Sequence, residues 1–157
     1  MDDNSVYREQ LLQLLSGRNA HFTFEDAVKE FPMEFINTKP PNVSYTPWHL
    51  IEHLRLAQWD ILEFVRDPDH VSPKWPEGYW PDPDAEADAG EWQRTVDSFN
   101  ADLQAMAAIA QDPDIDPQAE LPHAPGYTYL REILLVADHN AYHIGEFCIL
   151  RQIMGTW

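Results

Sequence analysis

One cysteine, Cys148, stands in 157 residues, which excludes an internal disulfide framework and any zinc site built from several thiolates. Cations are scarce as well: ten Lys and Arg against 27 Asp and Glu leave a formal charge of −17. Such a chain repels phosphate backbones and anionic lipid headgroups at long range, so neither nucleic acid nor a membrane surface is expected as a partner. Uninterrupted apolar runs such as Ile133–Ala137 fall far short of the ~20 residues of a membrane helix. Met1-Asp2-Asp3 does not open a basic, apolar leader, and the expected location is the cytoplasm. No segment alternates convincingly with period two, so no strand is expected. What is present, 44% apolar and 12% aromatic residues, is enough for a packed core. The length fits a single domain over residues 1–157.

Proline divides the chain. Pro68, Pro73, Pro76, Pro81 and Pro83 crowd one stretch and Pro113, Pro117, Pro122 and Pro125 another, and neither can be regular helix. After Pro40-Pro41, the pair Thr46-Pro47 reads as a helix cap followed by proline in the first turn. From there Leu50, Leu54, Ala57, Ile61 and Phe64 form a helical stripe up to Asp67-Pro68. Trp92, Val96, Phe99, Leu103, Met106 and Ala110 form a second. Leu130, Leu134, Ala137, Ala141, Ile144 and Cys148 form a third, with Gly155 as its stop. Val6, Leu11, Leu12, Leu14 and Leu15 suggest a fourth helix from Asn4 or Ser5, and Thr23-Phe24-Glu25-Asp26 is placed to cap a short extra one reaching Phe31. The fold class expected is all-α, a four-helix bundle with long proline-rich crossover loops.

Four of the seven histidines form i, i+4 pairs, His49 with His53 and His139 with His143. Residues four apart share a helix face, so both rings of a pair can reach one ion. Chance alone supplies roughly 0.3 such pairs in a chain of this composition, so two are informative where one would not be. On the final helix His139 and His143 share a face with Leu135, Tyr142, Glu146 and Leu150, which the periodicity puts opposite the stripe ending at Cys148. Two apolar faces on one helix call for cover on both sides, a second subunit included. On the earlier helix His53 lies closer to the core stripe than His49. Together His53, His139 and His143 offer three imidazoles and leave a coordination position open, the pattern of an accessible metal site. Glu52, Asp60, Asp138 or Glu146 can take the outward N–H that each ligating imidazole commonly donates.

The segment from Thr46 to Leu54, Thr-Pro-Trp-His-Leu-Ile-Glu-His-Leu, together with Asp138-His139-Asn140-Ala141-Tyr142-His143-Ile144-Gly145-Glu146 and Leu150-Arg151, resembles the DinB/YfiT-like metal-binding four-helix bundles. These are unrelated to the DNA polymerase that shares the name. The resemblance implies His53, His139 and His143 as ligands of a divalent ion, typically zinc or nickel, with His49 outside the triad. It also implies a homodimer. A glutamine commonly follows the motif glycine in that family, where this chain has Glu146. Some similar proteins transfer low-molecular-weight thiols such as bacillithiol or mycothiol to electrophiles, or isomerise substrates with a thiol cofactor.

Thiol cofactors of that kind carry carboxylates, and the cations nearest the histidines in sequence are Arg55, Arg131 and Arg151; the alternative for each is pairing with the abundant acids. Glu146 is the catalytic candidate, as a general base acting from outside the metal's own ligands. Trp75 to Pro81 carries three aromatics that either close a small-molecule pocket or clamp the connection to the bundle, and the clamp is favoured. Cys148 is expected to pack; His21, His70 and His123 receive no role. Three functions remain open: a metal-dependent enzyme of thiol S-transferase-like or hydrolase-like type acting on a small molecule, a helical bundle whose ion is structural or sensory, and a partner-binding module without metal.

Overall fold

A computed structural model describes residues 5–18 and 20–157. Five helices carry most of the chain: α1 (Ser5–Ser16), α2 (Phe24–Val28), α3 (Pro47–Arg66), α4 (Ala89–Gln111) and α5 (Tyr129–Met154). The expected start at Asn4 falls outside the described residues, whereas Ser5 is helical. Local chemistry sets the ends. The Thr46 hydroxyl accepts the His49 N–H at 3.1 Å, with Pro47 in the first turn. Asp88 and Glu91 cap α4 reciprocally, as Thr23 and Asp26 cap α2. Thr128 caps α5, which stops where Gly155 takes a left-handed conformation at φ 65°. The extra helix is shorter than expected: α2 ends at Val28, and Glu30 has φ 52°, which a continuing helix does not allow.

The fold is all-α apart from one small element that the sequence reading did not include. β1 (Glu120–Leu121) and β2 (Ala124–Thr128) form an antiparallel hairpin. Neither face of β2 is buried, so no period-two signal exists to be read, and Pro125 is tolerated because the ribbon has only two strands. α3 packs on α4 and α5, α1 packs on the same two, and α2 lies on α5. No described helix is long and apolar enough to cross a membrane.

Two apolar clusters fill the interior. Phe24, Phe31, Trp48, Leu54, Trp92, Phe99 and Phe147 anchor one, and Leu11, Leu62, Val65, Met106, Ile133 and Val136 the other. Between them Gln58 Nε2 donates to the Phe99 carbonyl at 2.7 Å and Asn140 Nδ2 donates to Gln58 Oε1 at 2.8 Å, tying α3, α4 and α5 in one buried polar layer.

The inward face of α5 differs from the stripe expected. Ile133, Val136, Ala137, Asn140, Ile144, Phe147 and Leu150 are buried, whereas Leu134 is 42% exposed. The helix is apolar nearly all round, so periodicity did not fix which face turns inward. The actual face is rotated by about 80° toward the histidines at 100° per residue. His139 and His143 therefore border the core instead of lying opposite it.

Candidate metal centre

His53 comes from α3, His139 and His143 from α5, and the packing of those two helices turns all three rings together. His53 Nε2 lies 3.2 Å from His143 Nε2 and 3.2 Å from His139 Nε2. The three ligand atoms all lie within 4.8 Å of one another.

Outer partners decide where the protons sit. His53 Nδ1 is 2.7 Å from the Tyr79 carbonyl, which only accepts, so that nitrogen carries hydrogen and Nε2 keeps a lone pair. His143 Nδ1 is 2.6 Å from Glu146 Oε2. The hydrogen bond from His143 holds the Glu146 carboxyl below the usual range, so it is an ionised acceptor and His143 Nδ1 is also the donor. His53 Nε2 then presents its lone pair toward His143 Nε2 at 3.2 Å. Burial opposes a proton on His53 Nε2 and lowers the pKa of that ring. Burial, with His143 and His53 alongside, pushes His139 down to about 3. The triad thus turns three Nε2 atoms toward one point, with burial favouring the neutral ring at His53 and His139. Two imidazoles on a tetrahedral ion at ~2.05 Å would stand about 3.3 Å apart, close to the observed spacing. His139 Nδ1 is buried without a partner among the described residues, which further disfavours a charged ring there.

A wall of aromatics surrounds the site. Trp80 stacks on His53 at 3.9 Å with only 4° between planes, and Tyr45 lies 5.4 Å from Trp80. The Tyr45 hydroxyl donates to Glu146 Oε1, so both oxygens of that carboxylate are engaged. Burial and Glu146 raise the Tyr45 pKa, which keeps the phenol protonated as the donor.

A family model for the DinB superfamily matches residues 18–147. The chain belongs to the DinB superfamily. No curated protein and no solved structure matches it. All three histidines of this DinB-superfamily chain fall within the matched residues.

The other sequence candidates lie as follows. His49 is buried, but its Nε2 meets the Ala85 carbonyl at 2.8 Å, away from the triad. Of the four proposed outer carboxylates, Glu146 alone touches a triad ring: Glu52 takes Arg55 and Thr95, Asp138 is exposed, and Asp60 takes His70 and Tyr79. Glu146 meets His143 on the nitrogen facing away from the other two rings, so it does not point into the space between them. The arginines are engaged elsewhere. Arg55 pairs with Glu52 at 2.5 Å, and Arg131 pairs with Glu132 and lies over the Tyr127 ring. Arg151 is buried, donating to the carbonyls of Ala27, Lys29 and Thr156 between the rings of Phe31 and Trp157. Cys148 is half-buried and burial raises its thiol pKa. Sequence reasoning missed Tyr45, the Tyr79 carbonyl and the stacking of Trp80. The aromatic run from Trp75 to Trp80 was the only trace of the Tyr79 and Trp80 contacts, and Tyr45 left none; the run clamps onto α3 beside the triad, the reading favoured from the sequence.

Proposed function

We propose that this chain is a divalent-metal-dependent enzyme, with zinc or nickel on His53, His139 and His143, that transfers a low-molecular-weight thiol to an electrophile. In this reading α1, α3, α4 and α5 are the four helices of the bundle that carries the site, and two chains pair through the exposed face of α5. The observation that carries the proposal is the convergence of three imidazole nitrogens, all within 4.8 Å of one another and with His53 Nε2 3.2 Å from each of the other two, on a space that a shared cation fits. Three imidazoles leave a coordination position for a substrate atom. When bound, a divalent ion on neutral ligands lowers the pKa of a thiol so that thiolate is present near neutral pH.

The chain's own residues do the rest. His53 and His143 keep their Nδ1 protons on Tyr79 and Glu146, which holds their lone pairs inward. Trp80 covers one face of His53 and excludes water from that side. Tyr45 fixes the second oxygen of Glu146, so the carboxylate acts through His143 as a positioning residue. In the net reaction a sulfur electron pair forms the new S–C bond. The bond from that carbon to its leaving group breaks with its electron pair, and the thiol proton departs with the leaving group.

Metal analysis of protein purified without an affinity tag should find one zinc or nickel ion per chain. Titrating a small thiol onto cobalt-loaded protein between about pH 6 and 9 should produce a sulfur-to-cobalt charge-transfer band. An ion without any such band would leave a structural or sensory metal, and no ion would sink the proposal altogether.

A further inference from the structure

Seven residues separate His53 from Asp60 on α3, and at 100° per residue that step leaves them about 20° apart, on one face two turns distant. Asp60 is buried, yet it touches no imidazole of the triad. Its Oδ2 accepts the Tyr79 hydroxyl at 2.6 Å, and its Oδ1 lies 2.7 Å from His70 Nε2. Tyr79 therefore grips α3 twice, by its hydroxyl at Asp60 and by its carbonyl at His53 Nδ1, 2.7 Å away. The next residue is Trp80, stacked on the same imidazole. The described hydrogen bond to the His53 ring from outside the triad and the indole stacked on it come from these two adjacent residues, and Asp60 is the α3 carboxylate that holds the Tyr79 hydroxyl.

We propose that Asp60, Tyr79 and His70 form a clasp that sets the tautomer and orientation of His53, making Asp60 and Tyr79 positioning residues for the metal. The inference rests on the metal-binding reading above. The physical reason is that a ligating imidazole needs its proton on the outward nitrogen, and the Tyr79 carbonyl selects that tautomer only while the turn (Glu77–Tyr79) is held down. Releasing the turn frees the ring to rotate and to carry its proton on Nε2, where it blocks coordination. His70, at the start of the same connection, presses on the other oxygen of Asp60 and keeps the carboxylate aimed at Tyr79.

Tyr79→Phe removes the hydroxyl and leaves the ring and main chain. Asp60→Ala removes the acceptor. Asp60→Asn still accepts the tyrosine hydroxyl. Arg8→Ala serves as a stability control at the far end, where Arg8 donates to the carbonyls of Ala110 and Ile115. Zinc affinity is measured on chelator-stripped protein against a chromophoric competitor, and cobalt is titrated for its visible spectrum. Loss of an outer partner typically weakens metal binding 10–100-fold, so Tyr79→Phe and Asp60→Ala are expected to weaken zinc by about tenfold and alter the cobalt spectrum. Asp60→Asn should recover most of both, and Arg8→Ala should lower the melting temperature without changing either. The clasp is overturned if folded Tyr79→Phe and Asp60→Ala bind zinc within about twofold of wild type with an unchanged spectrum. It is equally overturned if Arg8→Ala weakens zinc as much as they do. Wild-type protein that binds no zinc, or binding that survives His143→Ala, would instead refute the metal reading and the clasp with it.

Discussion

His139 is where metal binding and stability pull most clearly in opposite directions. Its Nδ1 is buried without a partner among the described residues, and burial pushes its pKa from 6.5 to about 3. Replacing it by leucine in metal-free protein removes two costs. An unpartnered buried polar atom costs about 1–3 kcal/mol. Proton linkage adds a pH-dependent part. Because the folded pKa lies below the unfolded one, the unfolded chain takes up a proton that the native chain refuses between pH 6.5 and about 3. The stability associated with the neutral ring is therefore fully present above 6.5 and falls as pH drops. Between pH 7 and pH 5.5 the loss is about 1 kcal/mol. Urea unfolding followed by circular dichroism, in the presence of a chelator, should show His139→Leu more stable than wild type by about 1–3 kcal/mol at pH 7. The gap should widen by about 1 kcal/mol at pH 5.5. Added zinc should stabilise wild type and leave the variant unchanged. A variant less stable than the metal-free wild type at pH 7, or a gap that does not widen, would show that the ring is not held neutral at a cost.

His143→Ala should lose most of the bound ion and His49→Ala should keep most of it, since His49 turns to the Ala85 carbonyl; equal loss on metal analysis would mean that His49 is a ligand. Glu146→Gln should retain metal with affinity lowered by about tenfold. Removing its negative charge should also shift thiol binding to lower pH, because the ion then acts on the thiol with less opposing charge; an unchanged pH profile would exclude any influence of the carboxylate on the ligand. Light scattering should give twice the 18.2 kDa chain mass. Ile149→Glu, on the α5 face that exposes Leu134, Leu135, Tyr142, Ile149 and Ile153, should give monomers, and a wild-type monomer at high concentration would refute that interface.

Helix ends were legible because they depend on side chains within a few residues: Thr46 with Pro47, Thr23 with Asp26, and Gly155. The triad was legible for a related reason. The spacing of four residues puts His139 and His143 on one face whatever that face meets. The orientation of α5 was not, because with apolar residues on most sides the choice falls to Phe147 and Ile133, which fit the spaces left by α3 and α4. The partner of His53 was hidden more completely. A main-chain carbonyl leaves no residue signature, and Tyr79, 26 positions after His53, reaches it only once the intervening chain has folded back. Asp60 was singled out as a possible partner of an imidazole, and it is one, but of His70.

The scarcity of cations bears on the chemistry as well as on the choice of partner. Arg55, Arg131 and Arg151 are committed to Glu52, to Glu132 and to three main-chain carbonyls, and each would have to abandon a buried or half-buried partner to meet a ligand at the triad. Burial opposes protonation of His53 and His139, so neither of those rings brings positive charge to the triad. In the proposed reaction, on a chain with a formal charge of −17, the charge that attracts a thiolate would come from the ion. The acidic field around the protein draws cations in and turns multiply charged anions away. If the chain transfers a thiol as proposed, selection among thiols would rest on the fit of the sulfur-bearing end against Trp80 and Tyr45, the rings beside the triad, and not on carboxylate-binding arginines.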